Sequence, residues 1–150
     1  MNAKKEYLSP CGMYCSVCAV RAADRDDDRE LKEMLAPIFG LKPEQIACEG
    51  CRSEKPFPFA MACAIRACAG EKHLEGCHQC GDFPCDHVRT FPFEISRQQM
   101  MAAIPRWKEL GTEQWVVETE KHFSCPHCGS LLHRYAKVCN HCQKPTDFFK

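Results

Sequence analysis

The sequence predicts an irregular α+β fold in three parts: a small α-rich, cysteine-rich core over residues 1–94, a helical connector over 95–123, and a C-terminal β-hairpin ribbon over 124–150. Three observations predict it. Ten of the 14 cysteines fall between Cys11 and Cys85, and four fall between Cys125 and Cys142. The 39 residues between these blocks, 86–124, hold no cysteine and carry helix punctuation instead. In the second block, two matched C-x-x-C pairs are separated by ten residues.

Something other than apolar burial must hold the core. Leu, Ile, Val and Phe make up 28 of 150 residues, a thin supply for a domain of this size. Disulfides and metals are the two available staples. The N-terminal "MNAKKEYLSPCG" lacks the apolar run of a secretory signal. No stretch reaches the roughly 20 apolar residues of a membrane span. A cytoplasmic location with no membrane association is therefore the expectation. Thiols stay reduced there, so the cysteines read as metal ligands or redox groups.

Within the core, "CSVCAVRAA" predicts a short helix leading out of the first cysteine cluster. A second helix is predicted over "DRDDDRELKEMLAPIFG", whose acidic first turn suits a helix N-terminus. Leu31, Met34, Leu35 and Ile38 recur at helical spacing, Pro37 bends or ends the run, and Gly40 stops it. "PFPFA" at 56–60 reads as extended or looped, and "AMACAIRACAGEKH" as a third helix ending near Gly70. In the connector, Ser96 and Gln99 form a capping-box pair, with Ile95 placed to staple to Met100. Met100, Ile104, Trp107 and Leu110 share one face. Gly111 ends that helix, and Thr112 suits the N-cap of the next, which carries Val116 and Phe123 inward.

The C-terminal "FSCPHCGSLLHRYAKVCNHCQKP" is the most specific motif. Cys125, Cys128, Cys139 and Cys142 form two knuckles that together supply four thiolates, the tetrahedral set of a structural zinc. The ten-residue interval suits a β-hairpin carrying one knuckle to the other. Gly129 follows the first knuckle, where a positive φ is often needed. His127 and His141 lie inside the knuckles and are expected to be exposed. Residues 121–150 carry five Lys/Arg against one Asp/Glu, so a protein or nucleic-acid partner could meet the ribbon, with Arg134 and Lys137 as candidate contacts.

Cys11, Cys15 and Cys18 share the C-x3-C-x2-C spacing of enzymes that cleave S-adenosylmethionine at an iron–sulfur cluster. No glycine-rich cofactor strand follows, Val17 stands where an aromatic is usual, and the barrel of those enzymes is larger than this chain. That reading fails. The core pairs are Cys15/Cys18, Cys48/Cys51 and Cys77/Cys80, with Cys11, Cys63, Cys68 and Cys85 as singles. Paired knuckles favour one site from Cys15, Cys18, Cys48 and Cys51, and a second from Cys68, Cys77, Cys80 and Cys85. Cys11 and Cys63 are then spare and stand as alternates. His73, His78 and His87 are substitutes of lower rank. The expected cofactor is about three Zn2+ per chain. One iron–sulfur cluster in the core is the alternative, although the ferredoxin spacing C-x2-C-x2-C-x3-C-P is absent.

The run "CGMYCSVC", then "CEGC", then "CAIRACAGEKHLEGCHQCGDFPC" resembles an uncharacterised prokaryotic family of small cysteine-rich proteins, a domain of unknown function, over residues 8–93. The connector and "HFSCPHCG" are similar to the version of that family with an appended zinc ribbon. What the resemblance implies is a zinc-binding fold with no assigned activity and no catalytic residues to carry over.

Two functions follow from these residues. One is a non-enzymatic, metal-stapled binding or adaptor protein. The other is a thiol- or iron–sulfur-dependent redox protein using Cys11 and Cys63, where the short helix after Cys11 and the nearby Arg66 would favour thiolates.

Overall fold

Helix signals in the first half act where the sequence places them, except that the single helix expected over "AMACAIRACAGEKH" is broken at Ala62 and Cys63 into two. The computed structural model describes residues 7–146. The outermost residues of the expected core and ribbon, 1–6 and 147–150, therefore lie outside the described residues. Seven α-helices follow one another: α1 (Ala19–Arg25), α2 (Arg29–Phe39), α3 (Pro58–Met61), α4 (Ala64–Glu71), α5 (Asp86–Arg89), α6 (Glu94–Leu110) and α7 (Thr112–His122). In α2 the Asp28 carboxylate accepts from the Leu31 N–H, an N-cap that satisfies one orphan donor. Pro37 sits in the last turn, and the helix ends two residues later at Phe39, with Gly40 at φ 67° as its C-cap. "PFPFA" is not fully looped: Pro58 fixes φ at a first helical position and starts the single turn of α3.

Packing divides between two main layers. Ala19, Val20 and Ala23 of α1 meet Leu31, Leu35 and Ala36 of α2, closed by Ile46, Cys48 and Phe57. Met34 and Ile38 of α2 stay exposed, so its buried face is narrower than the apolar spacing suggests. Around the connector, Ile104 and Trp107 of α6 meet Trp115 and Val116 of α7, with Leu8, Tyr14, Val17 and Phe123. Trp107 is the keystone of that layer. Its ring stacks on Trp115 at 4.2 Å and on His78 at 3.9 Å, and its Nε1–H donates to Thr112 Oγ1 at 2.9 Å.

The Ser96–Gln99 capping box does not form. The chain is extended at Phe93, so α6 begins at Glu94, three residues early, without a side-chain cap. Gln99 instead accepts from the Tyr135 hydroxyl at 3.1 Å. Ile95 falls in the first turn and is exposed. Gly111 ends α6 and also caps α7, leaving Thr112 as the first residue of that helix.

The expected C-terminal β-hairpin is also absent, and no strand forms among the described residues. Two isolated antiparallel bridges remain, Ser124 with Leu131 and Val138 with Pro145. Each closes one knuckle rather than joining the two. The interval between knuckles is drawn to the core instead: the Arg134 N–H donates to the Val17 carbonyl, and the Leu132 N–H to the Phe123 carbonyl, both at 2.9 Å. Backbone groups spent on those contacts are unavailable for a ladder. Among the described residues, no helix is long and apolar enough to cross a membrane.

Candidate metal centre

The C-terminal knuckles bring four sulfurs to one point. Each knuckle opens with a cysteine whose N–H is tied across the turn, Cys125 to the Ser130 carbonyl and Cys139 to the Lys144 carbonyl. The turn then aims backbone donors at the first sulfur. The His127 N–H points at Cys125 Sγ (3.4 Å) and the His141 N–H at Cys139 Sγ (3.3 Å). Cys125, Cys128, Cys139 and Cys142 place all four sulfurs within 4.8 Å of one another. Cys125 and Cys142 sulfurs are 3.6 Å apart, and those of Cys128 and Cys139 are 3.7 Å apart. A tetrahedron with metal–sulfur bonds of about 2.3 Å has edges of about 3.8 Å, so the donor set fits a single four-thiolate metal. Ser130 Oγ lies 3.3 Å from Cys128 Sγ, and its hydrogen bonding draws that thiol down to about 6. His127 and His141 are exposed. Gly129 has φ 79°.

In the core, the cysteines are positioned by packing rather than by one local turn, and among the described residues only the four C-terminal sulfurs converge within 4.8 Å of one another. The Cys48 N–H is held at 3.0 Å by Asp24 of α1. Cys51 donates its N–H to Cys15 Sγ at 3.2 Å, and Arg66 of α4 donates to the Cys51 carbonyl at 2.6 Å. Cys15 therefore has Cys18, Cys51 and Cys48 as charged neighbours once ionised. The Gly50 N–H also points at Cys48 Sγ (3.4 Å), repeating the donor pattern of the C-terminal knuckles. Burial pushes the Cys15 thiol well up, a cost that a bound cation removes.

The remaining core cysteines surround a second place. Cys68, Cys77, Cys80 and Cys85 line one cleft, with His87 and Lys72 at its edge. The Lys72 ammonium reaches Cys80 Sγ at 3.6 Å, and Cys80 and Cys68 raise its pKa. Gly76 explains how this cleft is set against the connector. A Cβ there would lie 2.4 Å from two Trp107 ring atoms, so only glycine lets the Cys77 turn approach α6. His78 packs flat on Trp107, and His73 is exposed.

Cys11 and Cys63 lie between the two places. With Met13, Cys77, Phe83, Cys85 and Phe91 they pack against Ile65, Val88 and Met100. Burial pushes the Cys11 thiol up, against the thiolate-favouring setting expected from the helix that follows it. Gly12, next to it, has φ 84°, and a Cβ there would meet Ala103 at 3.0 Å. This glycine therefore docks the first cluster on α6.

Sequence reasoning missed the role of Arg134. Only 7% exposed, it cannot serve a nucleic acid as expected. Its Nε donates to the Met13 carbonyl at 2.9 Å and its Nη2 to the Gly12 carbonyl at 3.1 Å. The guanidinium lies 5.0 Å from the Phe123 ring centre. Cys11 and Cys18 are among its charged neighbours. Lys137 is exposed.

A family model described as a protein of unknown function (DUF3795) matches residues 7–90. The chain belongs to the DUF3795 family. All ten core cysteines fall inside the DUF3795 match, and the four converging cysteines lie beyond it. No curated protein and no solved structure matches the chain.

Proposed function

We propose that this DUF3795 protein is a non-enzymatic binding or adaptor protein whose cysteines hold structural zinc. The observation that carries the reading is the convergence of Cys125, Cys128, Cys139 and Cys142 within 4.8 Å. Four thiolates fill a tetrahedral metal and leave no position for a reacting group. A multi-iron cluster distributes its cysteines over different iron atoms and spreads the sulfurs further than the 3.6 and 3.7 Å seen here. In the core, Cys15, Cys18, Cys48 and Cys51 would hold a second zinc, and Cys68, Cys77, Cys80 and Cys85 a third. Burial pushes the Cys51 and Cys77 thiols up to about 12, a cost that a bound cation removes, and the Lys72 ammonium stands 3.6 Å from Cys80 Sγ.

The same reading divides the chain into a metal-binding core (1–94), a helical connector (95–123) and a zinc ribbon (124–150) in a cytoplasmic protein. Exposed Lys137 and Lys144 leave the ribbon a basic surface for an acidic partner. Metal analysis with an absorption spectrum of freshly purified protein tests the proposal. Zinc in a colourless protein is expected. Iron, sulfide and strong visible absorption would replace the zinc core with an iron–sulfur one.

A further inference from the structure

The ribbon reaches into the N-terminal cysteine loop through one residue. Leu132 and Ala136 pack with Cys125 and Cys139 in one buried cluster, with Cys142 against it. Arg134 stands midway between them, so the residues that fix its backbone rest against the cysteines of the ribbon site. Its own N–H donates to the Val17 carbonyl at 2.9 Å. Its guanidinium donates to the Met13 and Gly12 carbonyls at 2.9 and 3.1 Å. Three carbonyls of the segment that carries Cys11, Cys15 and Cys18 are therefore held by one ribbon residue. That segment has an unfavourable backbone. Tyr14 has φ 50°, and a bulky residue at positive φ persists only where its surroundings fix it. The Tyr14 N–H donates to Ser9 Oγ at 3.0 Å and its hydroxyl to Glu120 at 2.6 Å, and the two carbonyls before it are held from the ribbon.

Resting on the reading of the ribbon as a metal site, we propose that the ribbon is a metal-dependent clamp: a divalent cation held by Cys125, Cys128, Cys139 and Cys142 fixes Arg134, and Arg134 fixes the loop that presents Cys11, Cys15 and Cys18. The bistable element is that loop. With the ribbon metal bound, Arg134 holds it in its strained, buried form. Without the metal, the knuckles lose the order that positions Leu132 and Ala136, and the three carbonyls lose their donors. Buried carbonyls without a donor make the docked form costly, so loss of ribbon metal shifts the loop toward an open form in which Tyr14 relaxes from positive φ. Coupling between two sites needs a two-state element that both of them bias, and Arg134 is the physical link here. The cation that charge alone would assign to a nucleic acid instead ties the occupancy of one cysteine site to the exposure of the first cysteines of the core.

The test uses the full chain loaded with zinc, its C128S variant and an R134M variant. Metal content, amide hydrogen exchange by residue and the alkylation rate of Cys11 are measured on each. Cys11 is the reporter because the two core quartets leave it outside their ligand sets. C128S should lose the ribbon zinc and speed exchange over residues 11–18 by about 5–150-fold, the usual range of coupling between two sites. Alkylation of Cys11 should rise by a like factor, and exchange over α4 should not change. R134M should give the same result at 11–18 while the ribbon keeps its zinc, which separates the clamp from a general loss of structure. Unchanged exchange over 11–18 in a C128S chain that has lost its ribbon zinc would overturn the clamp and leave the metal reading intact. A wild-type ribbon that takes up no zinc would overturn both. Should C128S speed exchange everywhere, R134M decides: slow exchange over 11–18 with the ribbon zinc in place overturns the clamp.

Discussion

Four sulfurs of residues 125–142 lie within 4.8 Å of one another, whereas the ten sulfurs of residues 11–85 are distributed among a first knuckle pair, a cleft beside α4, and the two cysteines between them. The difference lies in what positions the sulfur. In the ribbon, short-range backbone bonds form each knuckle, so a twenty-residue segment assembles the site almost by itself. In the core, each sulfur depends on contacts between elements distant in sequence, such as Asp24 with Cys48 and Arg66 with Cys51. A locally built site should tolerate changes elsewhere. A site built by packing should fail with its neighbours.

The largest effect should come from Cys80→Ser. A structural zinc contributes roughly 10–16 kcal/mol of apparent binding free energy, which counts toward folding. Net domain stability is only about 5–15 kcal/mol. On the proposed zinc reading of the core, losing Cys80 should therefore unfold the region around the cleft, read as metal loss and fast amide exchange over residues 63–90. Cys128→Ser should come next: the ribbon loses its metal and its order while most core metal stays. Loss of all metal on that single change would mean that ribbon and core form one cooperative unit.

Trp107→Ala should destabilise by about 3–5 kcal/mol, because a fully buried indole leaves a cavity. Denaturant unfolding measures it. The specific outcome is that metal at the Cys77 turn weakens while ribbon metal does not, since Gly76 and His78 rest on this ring. Arg134→Met should have the smallest effect, about 1–3 kcal/mol, from carbonyls of Gly12 and Met13 left without their donor. Faster exchange confined to residues 11–18 and the ribbon would show that this arginine fastens the two regions together. Exchange unchanged at 11–18 would show that they are independent.

What was legible in the sequence followed from local rules. The spacing of Cys125, Cys128, Cys139 and Cys142 specifies a donor set because the knuckle is a short-range structure. The helices over 29–39 and 94–122 announce themselves by period, and Gly40 and Gly111 mark their ends. Family membership was legible in the order of the core cysteines. Misread features were those in which tertiary contact overrode local signal. The ribbon hairpin gave way because Arg134 and Leu132 bond to the body of the protein. The Ser96–Gln99 box gave way to Tyr135. Arg134 looked like a surface cation because charge alone does not reveal that Gly12 and Met13 carbonyls wait for it. Gly12 and Gly76, each beside a cysteine, were the available hint that both clusters press against α6.

Amide hydrogen exchange across residues 11–93, compared with and without metal, tests the central claim most directly. If thiolate-bound metal holds this core, chelation should abolish protection there, while the α6 and α7 helices keep part of theirs through Trp107, Trp115 and Val116. Protection over 11–93 that survives complete metal removal would show that apolar packing folds the core and that its ten cysteines do something else.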